Sequence, residues 1–458
     1  MLFTQGEQNI LMKYPVDKFN VSSGTTGKCK LLPASTKAMQ EVFSTVFLPY
    51  LEKLNSIQKK HSSFAPLKSV LLSLTPRWRY TEKTHVPIGP ASGFHPERRI
   101  KIASFFRTSP DQICYLYLSE PSQLYLHWLF ALLDGDIARI DGTFAGSLLF
   151  AIELLNSNWK LLAHDVRHGT ISKTSSTEDI PVALIEELKK KKLVWKDPVR
   201  ADEIEHEFSK GFEGIVSRLW PRISVIPVCC TGAHTVHVPR LRWYCGDEIV
   251  FYSAFYGASE GIVAMNMDPT NQRQAYTLQP GVLFMEFIPE ISIPEKQPKT
   301  LLIDQIKVGH RYEVVITTHG FYRYRMGDLI QVVDFRHGVT PVIEFCSRVG
   351  SILDVRGEKT SEDMILKAMQ IFDAKFQMVS GGVSNFTTTD SSSYFTYSGD
   401  KQGTGLFYVI FVEFENLSRK LNNDEIAIFD DTLQEITYPY KSFRVRNSIL
   451  PPKVSFKF

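Results

Sequence analysis

The chain has 458 residues, too many for one hydrophobic core, so two or three domains of about 150 residues each are expected. Its 52 basic and 49 acidic side chains leave a formal charge of only +3, which excludes nucleic acid as the main partner, because a phosphate-tracking surface needs a basic excess. Six cysteines without a C-x-x-C pair make no disulfide framework, no run of 18 apolar residues occurs, and the start lacks the charged and apolar regions of a signal peptide, so a cytoplasmic protein with no transmembrane segment is expected.

The first patterned stretch is Val21-Ser22-Ser23-Gly24-Thr25-Thr26-Gly27-Lys28-Cys29-Lys30. Its glycines allow tight turns, its hydroxyls supply short donors, and the helix expected from Ser35 places an N-terminus behind it, a combination suited to nucleotide phosphates. It is not a Walker A loop, which would need glycine at Ser22 and a hydroxyl at Cys29. Taken alone, the stretch reads equally as a Ser/Gly-rich surface turn.

Apolar residues Met39, Val42, Phe43, Val46 and Phe47 recur at helical spacing within a helix expected over 35–60. A short strand over 68–74 follows, then a Gly/Pro-rich loop over 87–96. Two apolar helices, about 122–133 and 145–162, precede an amphipathic one over 181–192 that ends in four lysines. Strands are expected over 223–230, 249–255, 283–288 and 311–317, which makes the chain α/β. Residues 288–299 read as a loop and 380–405 as a long exposed polar loop. A domain boundary is placed at 346–350, after a strand over 342–345 and before a new α+β pattern whose helix begins at Ser361.

Three further motifs carry chemistry. Phe255-Tyr256-Gly257-Ala258-Ser259-Glu260-Gly261 follows a strand and offers an aromatic shelf, close backbone approach and a carboxylate for Mg²⁺, although by itself it is a common turn. In Tyr322-Arg323-Tyr324-Arg325-Met326-Gly327-Asp328, expected just before a strand starting at Ile330, Asp328 can accept from two ribose hydroxyls and the arginines can face phosphate; the competing reading pairs both arginines with carboxylates. Ser347-Arg348-Val349-Gly350, followed by Asp354-Val355-Arg356-Gly357-Glu358-Lys359-Thr360, reads as a hinge with Arg348 reaching the nucleotide, or as an ordinary strand and turn.

Together S-S-G-T-T-G-K, Y-G-A-S-E and Y-R-x-G-D resemble the nucleotide motifs of adenylate-forming enzymes. More closely they resemble those of the auxin-responsive Gretchen Hagen family of acyl-acid amido synthetases. Ala145-Gly146-Ser147-Leu148-Leu149 and Asn158-Trp159-Lys160 extend the likeness between motifs, and nearly the whole chain is covered. The resemblance implies an α/β fold with a large N-terminal domain (1–345) of β-barrel and α/β subdomains, a hinge (346–350) and a small α+β C-terminal lid (351–458). It implies ATP- and Mg²⁺-dependent adenylation of a small carboxylic acid and transfer of the acyl group to an amino acid. Ser22, Ser23, Gly24, Thr25, Thr26 and Gly27 would hold phosphates. Tyr256, Gly257, Ala258, Ser259, Tyr324 and Arg348 would contact the nucleotide, Asp328 would bind ribose, and Glu260 would be the catalytic residue that organises Mg²⁺. An acyl-CoA ligase or a nucleotide-binding pseudoenzyme are the alternatives.

Only 21 residues precede the phosphate loop, and the lysine that the superfamily brings from its C-terminus is expected beyond Phe458, so both ends read as truncated; Lys453 and Lys457 are poor substitutes. For the acyl pocket, His127, Trp128, Arg139 and Arg77 are candidates. His234 and His237 are expected to be structural rather than metal ligands, and the cysteines to pack.

Overall fold

The computed structural model describes residues 14–21, 30–58, 68–72, 75, 78–91, 106–174, 177–270, 273–349, 352–353, 355, 360–391, 394, 406–417, 419, 421–445 and 449–457. The chain divides into two compact units. The first comprises Met1–Glu286, Val315–Tyr324 and Val333–Ile343; the second comprises Phe287–Val314, Arg325–Val332 and Glu344–Phe458.

Within the first unit, helices Glu120–Leu133 and Ala145–His168 form the main core. Glu120–Leu133 is buried on every side from Ser122 onward: Trp128 stacks on Trp220 at 5.9 Å and donates its indole N–H to the Ala151 carbonyl at 2.7 Å. Ala145–His168 runs well beyond the expected end near 162 and stops at Gly169, whose φ of 65° suits a left-handed cap. These helices flank a parallel sheet in the order Ser69–Leu71, Arg139–Asp141, Val225–Pro227, Val250–Tyr252.

A second sheet of this unit is ordered Leu31–Ala34, Lys18–Val21, Pro87–Pro90, Arg79–Tyr80. Pro87–Pro90 corrects the expected loop. The two prolines stand at the strand's ends, where ladder N–H groups matter least, and Gly89 leaves room for the Trp78 ring. The helix expected over 35–60 is also modified. It comprises Thr36–Val42 and Leu48–Gln58 with a π-helical turn, Phe43–Phe47, between them. Met39 and Phe43 are exposed and only Val46 of the apolar stripe is buried, so periodicity identified the helix but not the face it covers.

A seven-stranded sheet has the order Phe284–Pro289, Arg311–Thr317, Tyr324–Arg336, Thr340–Arg348, Tyr276–Leu278, Gly261–Met265, Phe255–Ala258. The strand expected from Ile330 begins six residues earlier, and the one expected to end at 345 continues through Arg348.

The second unit carries a three-stranded sheet. Val383–Asp390 is antiparallel to Tyr408–Phe414, which is parallel to Lys453–Lys457. Helices Glu362–Ser380 and Asn423–Ile436 cover one face through Met369, Phe372, Phe429 and Leu433. Val383–Asp390 corrects the start of the expected polar loop: Phe386 and the β-branched Thr387, Thr388 and Thr389 favour an extended chain although they are mostly polar. Residues 395–405 lie outside the described set. No helix among the described residues is long and apolar enough to cross a membrane.

Candidate nucleotide-binding site

The phosphate-loop residues Ser22, Ser23, Gly24, Thr25, Thr26 and Gly27 lie outside the described residues, as do Cys29, Gly350, Asp354 and residues 356–359. The segment's two flanks are described. Val21 and Leu31 are register partners in antiparallel strands, so both ends of the intervening segment leave from one point. The following helix is capped by the Ser35 hydroxyl, which accepts from the Ala38 N–H at 3.2 Å, and by the Asp17 carboxylate, which accepts from the Thr36 N–H at 2.5 Å. A carboxylate therefore already occupies the helix N-terminus that sequence reasoning reserved for an anion.

The Y-G-A-S-E motif is a β-hairpin rather than the turn after a single strand. Phe255–Ala258 pairs with Gly261–Met265, and Ala258 opposite Gly261 leaves Ser259 and Glu260 as a two-residue turn. A Cβ on Gly257 would stand 2.9 Å from the Gly261 carbonyl oxygen, so the close pairing admits only glycine there. Tyr256 is buried, with its ring 6.1 Å from that of Tyr276. Glu260 is half-buried at the turn and forms no ion pair with a described residue.

Next to this hairpin is an aromatic wall built by the π-helical turn. Phe255 lies 5.7 Å from Phe47 and 5.0 Å from Tyr50, and Tyr50 stacks on Tyr252 at 6.0 Å. Burial raises the Tyr50 phenol above its usual range, with Asp141 adding to the effect, so the group is a neutral hydroxyl.

In the third motif both arginines are held by carboxylates. Arg323 Nε donates to Glu286 at 3.0 Å, and Arg325 makes a forked contact to Glu313, which is 1% exposed. The Glu313 hydrogen bonds raise the Arg325 guanidinium's pKa. These two cations are therefore structural ties. Glu286 and Glu313 were missed in the sequence, yet each interrupts an apolar strand, F-M-E-F-I and Y-E-V-V-I, and an inward carboxylate there calls for a cation. Arg323 adopts a left-handed φ of 50° and is fixed by its N–H donating to the Thr317 hydroxyl at 3.0 Å.

Tyr324 belongs to the first unit and Asp328 and Arg348 to the second. The Tyr324 hydroxyl accepts from Lys30 Nζ at 2.7 Å. Asp328 lies inside a strand, not at its end. Gly327 takes a φ of 74° within that strand, and its carbonyl accepts from the Val349 N–H. The Asp328 side chain is 12% exposed, and its Oδ1 lies 3.6 Å from Arg348 Nε. Glu362 feels both charges: partial burial pushes its carboxyl up, Arg348 pulls it down and Asp328 adds to the rise. The two residues singled out in separate motifs thus form one charged pair.

Three of the four acyl-pocket candidates, His127, Trp128 and Arg139, are corrected. His127 is fully buried, its Nδ1 sharing a hydrogen bond with the Ser109 hydroxyl at 2.7 Å, and burial pushes its pKa down to about 4. Trp128 is core, Arg139 is tied to Asp141 at 2.7 Å, and Arg77 lies outside the described residues. His234 and His237 sit on the 3₁₀ turn Gly232–His237, their rings 6.4 Å apart, with burial lowering both pKa values. Among the described residues no group of three or more His, Cys, Asp or Glu side chains could hold a metal ion.

Residues 3–250 match the model of the GH3 family N-terminal domain, and residues 276–348 that of the GH3 family central domain. Indole-3-acetic acid-amido synthetase GH3.3 of Arabidopsis thaliana is 28% identical over 384 residues, which is 79% of this chain and 60% of that protein. GH3.17 of the same plant, also an indole-3-acetic acid-amido synthetase, is 26% identical over 97% of this chain and 75% of its own length. The solved structure of the acyl acid amido synthetase GH3.15 in complex with 2,4-DB is similar with a TM-score of 0.80 at 25% identity, covering 99% of this chain and 77% of that one. The chain thus spans about 60% of the length of the first of these relatives. With its N-terminal and central domains both matched in order, the chain belongs to the GH3 family.

Proposed function

We propose that the protein activates a carboxylic acid with ATP and transfers the acyl group to an amino acid. The observation that carries this reading is the likeness to a solved acyl acid amido synthetase over nearly the whole chain. In the first half-reaction a carboxylate oxygen attacks the α-phosphorus of ATP, and pyrophosphate leaves. In the second, the amino group attacks the activated carbonyl, an amide forms and AMP departs with the bonding electrons. AMP replaces a poor leaving group, so the protein's work is to position reactants and neutralise charge.

Ser22, Ser23, Gly24, Thr25, Thr26 and Gly27 hold phosphates in this account, Tyr256, Gly257, Ala258, Ser259 and Tyr324 border the nucleotide, and Asp328 accepts from the ribose hydroxyls with Arg348 beside it. Glu260, half-buried and without an ion pair to a described residue, fits a Mg²⁺ ligand, and the ion would supply charge neutralisation at the phosphates. Residues 1–345, including a β-barrel, form the body of the enzyme, and 351–458 form a lid that turns about 346–350. The aromatic wall of Phe47, Tyr50 and Phe255 supports a flat apolar acid. The relatives' names carry indole-3-acetic acid, which has that shape. We place the protein in the cytoplasm.

The test is discharge of the activated acid. After incubation with ATP, Mg²⁺ and a panel of aromatic acids, amino acids should release AMP and yield an amide. Release with coenzyme A but not with any amino acid would instead identify an acyl-CoA ligase.

A further inference from the structure

The phosphate loop and the Y-R-x-G-D motif are almost 300 residues apart in sequence, yet their flanks are fastened together inside the first unit. Lys30 is the first described residue after the phosphate-loop motif, and its Nζ donates to the Tyr324 hydroxyl at 2.7 Å while lying 5.0 Å from the ring centre. Eleven residues on, the Glu41 carboxylate meets His319 Nε2 at 2.9 Å. Between these contacts, the strand Leu31–Ala34 presses Pro33 against Gly320, where a Cβ would stand 2.8 Å from Pro33 Cγ. His319 is further flanked by the Tyr14 ring at 5.9 Å, and Tyr14 accepts from Lys37 at 2.6 Å.

The segment being gripped is ordered by its own bonds. The Thr318 N–H donates to the Phe321 carbonyl at 2.8 Å, the Gly320 and Phe321 N–H groups donate to the Thr318 hydroxyl at 3.1 Å, and the Arg323 N–H donates to Thr317. Such a loop is a stiff unit, so fixing it at His319, Gly320 and Tyr324 fixes where the strand beginning at Tyr324 sets out.

We propose that His319, Glu41, Gly320 and Lys30 form a clasp that holds Tyr324, a nucleotide contact in the proposed function, against the strand Leu31–Ala34, making them positioning residues for ATP. This rests on the amido synthetase reading, and it adds a role for four residues outside the proposed nucleotide contacts. No member of the clasp needs to touch substrate. A clasp of this kind acts on nucleotide affinity selectively, because the acid's aromatic wall is built from Phe47, Tyr50 and Phe255, none of which belongs to it.

The experiment compares the parent chain with His319→Ala, His319→Gln and Gly320→Ala. Hydrogen exchange of a peptide spanning 317–324 reads the clasp, calorimetric ATP binding reads its effect, and KM for the acid is the control. His319→Ala should speed exchange in that peptide and weaken ATP binding roughly three- to tenfold, the worth of one lost hydrogen bond, with KM for the acid unchanged. His319→Gln, which keeps a donor toward Glu41, should restore affinity to within about twofold on the same reasoning. Gly320→Ala should act like His319→Ala; the His319 variants change an exposed pair and keep the test valid even if the alanine at 320 impairs folding. Faster exchange with unaltered ATP affinity would overturn the positioning role, as would equal losses in the Ala and Gln variants. A parent chain that fails to bind ATP at all would overturn the functional reading itself, a result visible before any variant is made.

Discussion

Replacing Asp328 separates two roles that the structure gives one carboxylate. Its side chain is 12% exposed and Oδ1 lies 3.6 Å from Arg348 Nε, whose side chain keeps 32% of its exposure. Loss of the charge leaves Arg348 partly hydrated rather than stranded, so Asp328→Asn should cost about 1 kcal/mol of stability, toward the upper end for a surface pair and well below a fully buried one. The cost to nucleotide binding should be larger. Two ribose hydroxyls donating to an ionised acceptor are worth about 1.5 kcal/mol each at the least, so Asp328→Ala should weaken ATP binding by about 100-fold. Asn keeps one acceptor oxygen and should fall between, near tenfold. Calorimetric titration with a non-hydrolysable ATP analogue, alongside thermal denaturation, reads both quantities. Arg348→Met is the informative companion, since it breaks the same pair from the other side. If Asp328→Ala bound the analogue within twofold of the parent while both variants lost equal stability, Asp328 would be a structural partner of Arg348 and the ribose assignment would fail.

Two other perturbations follow from backbone and burial. Gly327 holds φ 74° with its nearest would-be Cβ contact, the Val349 carbonyl oxygen, at an ordinary 3.7 Å, so Gly327→Ala should cost about 1 kcal/mol for the left-handed backbone alone. Gly309, at φ 84° with nothing within 4 Å of a would-be Cβ, is the control: Gly309→Ala should cost the same in denaturant melts but leave ATP affinity alone, and a much larger loss at 327 would mean that the room for a Cβ there was misjudged. His127 gives a pH signature. Its folded pKa of about 4 lies below the unfolded value near 6.5, so the stability it preserves is complete above pH 6.5 and is lost as pH falls toward 4, by up to about 3 kcal/mol. His127→Leu should flatten the stability profile across that window; parallel profiles for parent and variant would show that another group governs it.

The parts of the fold written in apolar patterning were readable in advance. The strand over 311–317 was found at its expected limits, and the two apolar helices expected at about 122–133 and 145–162 form the main core. What was hidden depends on partners distant in sequence. Tyr324–Arg336 starts within the charged motif because Glu313 neutralises Arg325 inside the strand, while Glu286 ties Arg323 just before it. The helix at Thr36 offered an anion site on paper, but Asp17, nineteen residues earlier, takes the first N–H. Residues 383–390 read as loop because threonines look polar, while their β-branching fits the edge of a three-stranded sheet. Motif order pointed to the candidate site, and the pairing of Asp328 with Arg348 emerged only from the structure.

The central claim is that this chain makes an acyl-adenylate, and ATP–pyrophosphate exchange tests it most directly. Labelled pyrophosphate should enter ATP when the chain, Mg²⁺ and an aromatic carboxylic acid are all present, and should fail to do so when the acid is omitted or Asp328 is replaced by alanine. Absence of acid-dependent exchange from a folded chain that still binds ATP would contradict the account.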